Sequence, residues 1–150
     1  MQKVFLLADD DADDRQLFCE ALEDIDSSII CHCALDGRMA LDILQNKELK
    51  KPQVIVLDIN MPGMNGWECL RQLKNNEEYK HIPVIIYSTS SHQKEASIAL
   101  SMGALCFFTK PTYFKDLKAI LQVLVANVDD NLLEAIKHFN AIKSKKIFAC

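Results

Sequence analysis

Short apolar runs alternate with helically spaced apolar positions along most of the chain. The runs are Val4-Phe5-Leu6-Leu7-Ala8, Ile29 to Ala34, Val54-Ile55-Val56-Leu57, Val84-Ile85-Ile86-Tyr87 and Ala104 to Thr109. Each is too short for a helix and reads as a strand. Between and after them, apolar residues recur at helical spacing: Leu17, Phe18, Ala21, Leu22 and Ile25; Met39, Ala40, Ile43 and Leu44; Trp67, Leu70 and Leu73; Phe114, Leu117, Ile120, Leu121 and Leu124. A further helix near Gln93 to Met102 stops at Gly103, and Pro62-Gly63 and Asn65-Gly66 mark a loop. Five strands and five helices in strict alternation predict an α/β domain with a parallel sheet over residues 1–126. The first, third and fourth runs are almost wholly apolar, as central strands covered on both faces require.

Residues 127–150 predict a C-terminal helical extension and tail. Asp129 and Asp130 suit a helix start, and Leu132, Leu133, Ile136 and Phe139 form an apolar stripe. That stripe needs burial on its own domain, on a second copy in a homodimer, or on another protein. Ser144 to Cys150 read as a frayed end.

Composition narrows the class. The chain has 150 residues, 49% hydrophobic and 25% charged, enough for one core and unlike disordered or fibrous sequences. A net charge of -4 supplies no basic footprint, so direct nucleic-acid binding is not expected. Val4 to Ala8 is too short for a signal peptide or a membrane span, which leaves no membrane role and a cytoplasmic location as the expectation. The six cysteines include no CxxC pair. Cys31-His32-Cys33 suggests a metal site, but it alternates like a strand, which sends His32 to the face opposite both cysteines, so no metal is expected there. Buried thiols in a reducing compartment are the expected account of them.

In an open α/β sheet the ligand lies beyond the carboxyl ends of the strands. The first run ends in Asp9, Asp10 and Asp11, the third in Asp58, the fourth in Ser88 and Thr89, and the fifth in Lys110. Carboxylates gathered at one edge raise each other's pKa unless a cation neutralises them, and an all-oxygen set with room for phosphate suits Mg²⁺. A carboxylate is also a competent nucleophile toward phosphorus, with lysine and metal stabilising the transferring group. Taken alone, the acids at positions 9, 10, 11, 13 and 14 read more readily as a solvated turn and helix cap than as a metal site. Their arrival with Asp58, Ser88 and Lys110 at four strand ends decides for chemistry.

These residues resemble the receiver domains of two-component response regulators. Phe5 to Asp11 resembles the family's first strand and acidic pair, and Val54 to Gly66 its acceptor strand and loop. Pro83 to Ser88 resembles its fourth strand, and Gly103 to Pro111 its fifth. The resemblance implies a flavodoxin-like, doubly wound, five-stranded parallel sheet in the order 2-1-3-4-5, here with an extra C-terminal helix. It implies phosphorylation of Asp58 by a sensor histidine kinase or histidine phosphotransfer protein, with Mg²⁺ held by Asp10, Asp58, the Asn60 carbonyl and, largely through water, Asp9. Lys110 pairs with the acceptor and then the phosphoryl group, the Lys110–Pro111 peptide is usually cis, and Ser88 and Phe107 change position on activation. Thr89 is bulkier than the small residue often found there, which implies crowding of the phosphoryl and slower turnover. Phe107 lacks the hydroxyl of the more frequent tyrosine.

The expected function is therefore a stand-alone switch, not an enzyme, whose output is contact with a downstream protein, since the chain leaves no room for an output domain. Two rivals differ from it in kind. A haloacid-dehalogenase-like phosphatase needs a second acid where Asn60 stands, and a pseudo-receiver docking module has no use for the complete acid, hydroxyl and lysine set.

Overall fold

The computed structural model describes residues 2–90, 92–142 and 148–150. Strands and helices alternate: β1 (Val4–Ala8), α1 (Ala12–Ile25), β2 (Ile30–Ala34), α2 (Gly37–Gln45), β3 (Val54–Leu57), α3 (Gly66–Lys74), β4 (Val84–Ser88), α4 (Gln93–Ser101), β5 (Cys106–Thr109), α5 (Phe114–Asn127), α6 (Leu132–Ile142) and β6 (Phe148–Ala149). The sheet order is β2-β1-β3-β4-β5-β6, with the first five strands parallel as expected and β6 antiparallel to β5.

Strand alternation splits the core into two layers. Phe5, Leu7, Val54, Val56, Ile85, Tyr87, Cys106 and Phe108 point to the layer filled by α1, α5 and α6. Leu6, Ala8, Ile55, Leu57, Val84, Ile86 and Phe107 point to the layer filled by α2, α3 and α4. Every residue of β1, β3 and β4 is buried, which is why those runs carry no alternation of polar and apolar positions.

Side-chain caps set three helix starts. Asp11 accepts from the Asp14 amide, Asp36 from Met39 and Asn65 from Glu68, each satisfying an otherwise orphaned N–H. Gly103 ends α4 with φ +102°, a conformation that glycine adopts without Cβ strain. Phe18, Ala21 and Leu22 form the buried stripe of α1, whereas Leu17 and, on α2, Met39 lie outside the apolar arc and are exposed. Trp67 packs, partly buried, against the second layer.

The C-terminal segment resolves the open question of the sixth helix. Leu132, Ile136 and Phe139 are buried in the same layer as α5, so the stripe is covered within the chain. The tail is not frayed throughout: Phe148 and Ala149 pair with Phe108 and Phe107, and Cys150 forms a disulfide with Cys106. Cys106 is therefore bonded rather than a buried free thiol; Cys19, Cys31, Cys33 and Cys69 are free. Residues 143–147 of the predicted tail lie outside the described residues. Among the described residues every peptide bond is trans, Lys110–Pro111 included, where a cis bond was expected; trans is the lower-energy isomer even before proline.

Candidate functional site

Sheet register brings the chemistry together. Ala8 lies opposite Leu57, so the next residues, Asp9 and Asp58, leave the sheet side by side. The Asp58 amide donates to the Ala8 carbonyl at 2.9 Å, and the Asp9 amide to Ala34 at 3.0 Å. On the other flank Ser88 lies opposite Thr109, and the Lys110 amide donates to the Ser88 carbonyl at 2.7 Å. Parallel strands in this register deliver every end group to one edge.

The Lys110 ammonium is the centre of the cluster. Its Nζ donates to Asp9 Oδ2 at 2.8 Å, to Asp14 Oδ2 at 2.8 Å and to Asp58 Oδ2 at 3.4 Å, and it lies 5.1 Å from the centroid of the Tyr87 ring. Asp9 is wholly buried and Asp58 nearly so. The other carboxylate oxygens are held by the backbone: Asp9 Oδ1 accepts from the Asp11 amide at 3.0 Å, and Asp58 Oδ1 from the Ile59 amide at 2.8 Å.

One ammonium does not compensate the buried acids. Burial pushes the Asp58 carboxyl up to about 6, against the pull of Lys110 and with the neighbouring Asp9 charge adding to the rise. Burial likewise raises Asp9, opposed by its hydrogen bond from Lys110. Burial alone disfavours the Lys110 ammonium, but its hydrogen bonds to Asp14 and Asp9 outweigh that and keep it protonated. A site that raises its own carboxylates is short of positive charge.

The donor set fits a divalent cation. Asp9, Asp10 and Asp58 each present a carboxylate oxygen, all within 4.8 Å of one another, and Asp10 is exposed where Asp9 and Asp58 are not. Oxygen-only donors with one face open match Mg²⁺, which keeps several of its waters. Asn60 follows on the exposed loop. That loop folds back tightly: the Gly66 amide donates to the Ile59 carbonyl at 2.9 Å, and a Cβ on Gly66 would overlap the Asp58 carbonyl oxygen. Only glycine lets α3 start so close beneath the acid.

The hydroxyl side is preset differently. Ser88 is fully buried and its Oγ accepts from the Ser90 amide at 3.1 Å, while Thr89 is exposed. Thr109 Oγ1 donates to the Ser90 carbonyl at 3.0 Å, pinning the same loop. Phe107 is turned inward, 3% exposed, in the layer that holds Ala96 and Ala99 of α4. Sequence reasoning missed two members of the cluster, Asp14 and Tyr87. Asp14 sits in the first turn of α1, three residues after its cap, where an acid is ordinarily a dipole partner. The spare signal was the second acidic pair one helical turn beyond Asp10.

Residues 5–122 match the family model of the response regulator receiver domain. Response regulator Rcp1 of Synechocystis sp. is 32% identical over 127 residues, which are 80% of this chain and 84% of that protein. A protein-glutamate methylesterase/protein-glutamine glutaminase of Clostridium acetobutylicum is 36% identical over 114 residues, 74% of this chain but 32% of that longer protein. Among solved structures, the Mn(2+)-bound form of Rcp1 superposes with a TM-score of 0.73 at 30% identity, covering 83% of this chain and 92% of that one. The phosphorylated cyanobacterial phytochrome response regulator RcpA gives 0.75 at 27% identity, covering 81% and 90%.

Proposed function

Because this chain belongs to the response regulator receiver family, we propose that it is a phospho-switch whose acceptor is Asp58. The observation that carries the reading is the Lys110 ammonium, 2.8 Å from Asp9 and 3.4 Å from Asp58, beside a third carboxylate at Asp10. The donor is a phosphohistidine on a sensor kinase or histidine phosphotransfer protein. An Asp58 oxygen attacks phosphorus as the P–N bond breaks, the imidazole keeps the electron pair and takes up a proton, and an aspartyl phosphate remains.

The carboxylates of Asp10 and Asp58, the carbonyl of Asn60 and, through water, Asp9 would hold Mg²⁺, which when bound neutralises charge on the phosphoryl oxygens. Lys110 supplies the second positive charge and orients the acceptor. The Ile59 amide fixes the non-attacking oxygen of Asp58. Ser88 exchanges its contact with the Ser90 amide for a phosphoryl oxygen, while Thr89 stands at the exposed mouth and slows entry and hydrolysis. Movement of Ser88 favours a second packing of Phe107, and the surface of α4, β5 and α5 carries the output to a protein partner.

In this reading residues 1–126 are the switch and 127–150 an extension, of which α6 and β6 pack on it. Its match to most of the length of Rcp1 supports a stand-alone switch, and we place that switch in the cytoplasm. There the Cys106–Cys150 bond follows the redox poise of its surroundings.

Incubation with Mg²⁺ and acetyl phosphate, followed by intact-mass measurement, tests the proposal. The expected result is a gain of one phosphoryl group, absent without Mg²⁺ and absent in Asp58→Ala. An undiminished adduct in that variant overturns it, and turnover of phosphate esters supports the dehalogenase-like rival instead.

A further inference from the structure

A second cluster of ligating side chains lies away from the acid edge, between α1 and β2. Cys31 and Cys33 alternate along β2 and pack toward the α1 layer, as their register partners Phe5 and Leu7 do. His32 is paired with Leu6, whose side chain belongs to the opposite layer, so the histidine is turned away from both cysteines. The third group comes from elsewhere: Cys19 of α1 places its Sγ 3.4 Å from Cys33 Sγ. All three sulfurs lie within 4.8 Å of one another.

We propose that Cys19, Cys31 and Cys33 form a three-thiolate site for a thiophilic d10 cation, Zn²⁺ or Cu⁺. Zn–S bonds of about 2.3 Å put the sulfurs of a tetrahedral site about 3.8 Å apart, close to the spacing already present. Soft thiolate sets select these ions over Mg²⁺, which prefers the oxygen donors at Asp9, Asp10 and Asp58. The three thiols are only partly buried, so an ion has a way in and water can fill a fourth position. Cys69 shows what an apolar filler looks like in this fold: it is alone, wholly buried and pushed up to about 12 by that burial. Hydrogen bonds from Cys19 and Cys31 hold the Cys33 pKa below the ordinary 9.0, whereas the Cys19 and Cys31 thiols are raised, so one thiolate is ready and the ion must displace the other two protons. Loading exchanges up to three S–H protons for one metal ion, so it releases acid and strengthens as pH rises.

The test uses the full chain, free of oxygen, with excess Mg²⁺ to keep the carboxylate pocket occupied. Zn²⁺ and, in a separate arm, Cu⁺ are titrated against a competing chelator and followed by native mass spectrometry. The expected result is one ion per chain, with Cys19, Cys31 and Cys33 protected from alkylation. Cys31→Ser and Cys33→Ser should weaken binding at least about a hundredfold, beyond the loss typical of outer-shell changes. His32→Ala, at the residue turned away from the three sulfurs, should leave it unchanged. Cooperative thermal unfolding of each serine variant establishes that it is folded. Binding of neither ion, undiminished binding in folded Cys33→Ser, or formation of a Cys19–Cys33 disulfide in place of a metal adduct overturns the proposal. Success in only one arm identifies the ion.

Discussion

Without Mg²⁺, neutralising the acceptor should stabilise the fold. Asp58 is 7% exposed, shares its pocket with the buried Asp9, and titrates at about 6 where its ordinary value is 3.8, chiefly because burial penalises the charge. Each unit is worth about 1.4 kcal/mol, so the ionised group costs the folded state about 3 kcal/mol. A folded-state pKa above the unfolded one means that the penalty is absent below 3.8, grows as pH rises, and is complete above about 6. Asp58→Asn, nearly the shape of the protonated acid, removes it. The variant should therefore melt about 6–12 °C higher than wild type near pH 8 in chelator, and the two should converge near pH 4. Circular-dichroism melts across that range measure the difference, and saturating Mg²⁺ should shrink or reverse it because only wild type keeps its full ligand set. A variant equal to or weaker than wild type at high pH in chelator, or a gap that persists unchanged in acid, refutes the reasoning.

Two other substitutions probe features around the site. Gly66→Ala drives a methyl group into the Asp58 carbonyl oxygen and against Ile59 Cα, both backbone atoms that cannot swing aside. It should cost about 1–3 kcal/mol in urea unfolding and weaken Mg²⁺ affinity together with stability. Reduction of Cys106–Cys150 opens a bridge spanning 44 positions. The chain-entropy relation makes that worth up to about 4 kcal/mol, so a reductant should lower the melting temperature and Cys150→Ser should reproduce the reduced value.

The alternation of strands and helices was legible because each apolar run is short, uninterrupted and followed by a polar end. The acid site was legible for the same reason: in a parallel sheet neighbouring strands end together, so Asp9, Asp58 and Lys110 had to meet. Contacts that depend on how a helix lies over the sheet were not. Asp14 reaches Lys110 only because the first turn of α1 leans over the edge. Cys19 joins Cys31 and Cys33 through the rotation of α1 against β2, and no periodicity along the chain encodes that. The same holds at the C-terminus, where β6 is two residues long and has no pattern of its own. Its pairing with β5 is a tertiary event between distant segments, as is the burial of Ile136 and Phe139.

An open sheet exposes two rows of unpaired amides and carbonyls, each able to recruit a strand from another molecule. Here one margin is β6, only two residues long and anchored by a disulfide beside β5, and the other is β2, the longer of the two among the described residues. A very short edge strand offers little to pair with, so the five-residue β2 is the margin better suited to strand addition. That segment is also the one that carries Cys31 and Cys33, so under oxidising conditions a fleeting intermolecular pairing there would be captured as a covalent one. An ion held by the same sulfurs would remove the reactive thiols from the margin, and a chain so loaded should resist oxidative clumping.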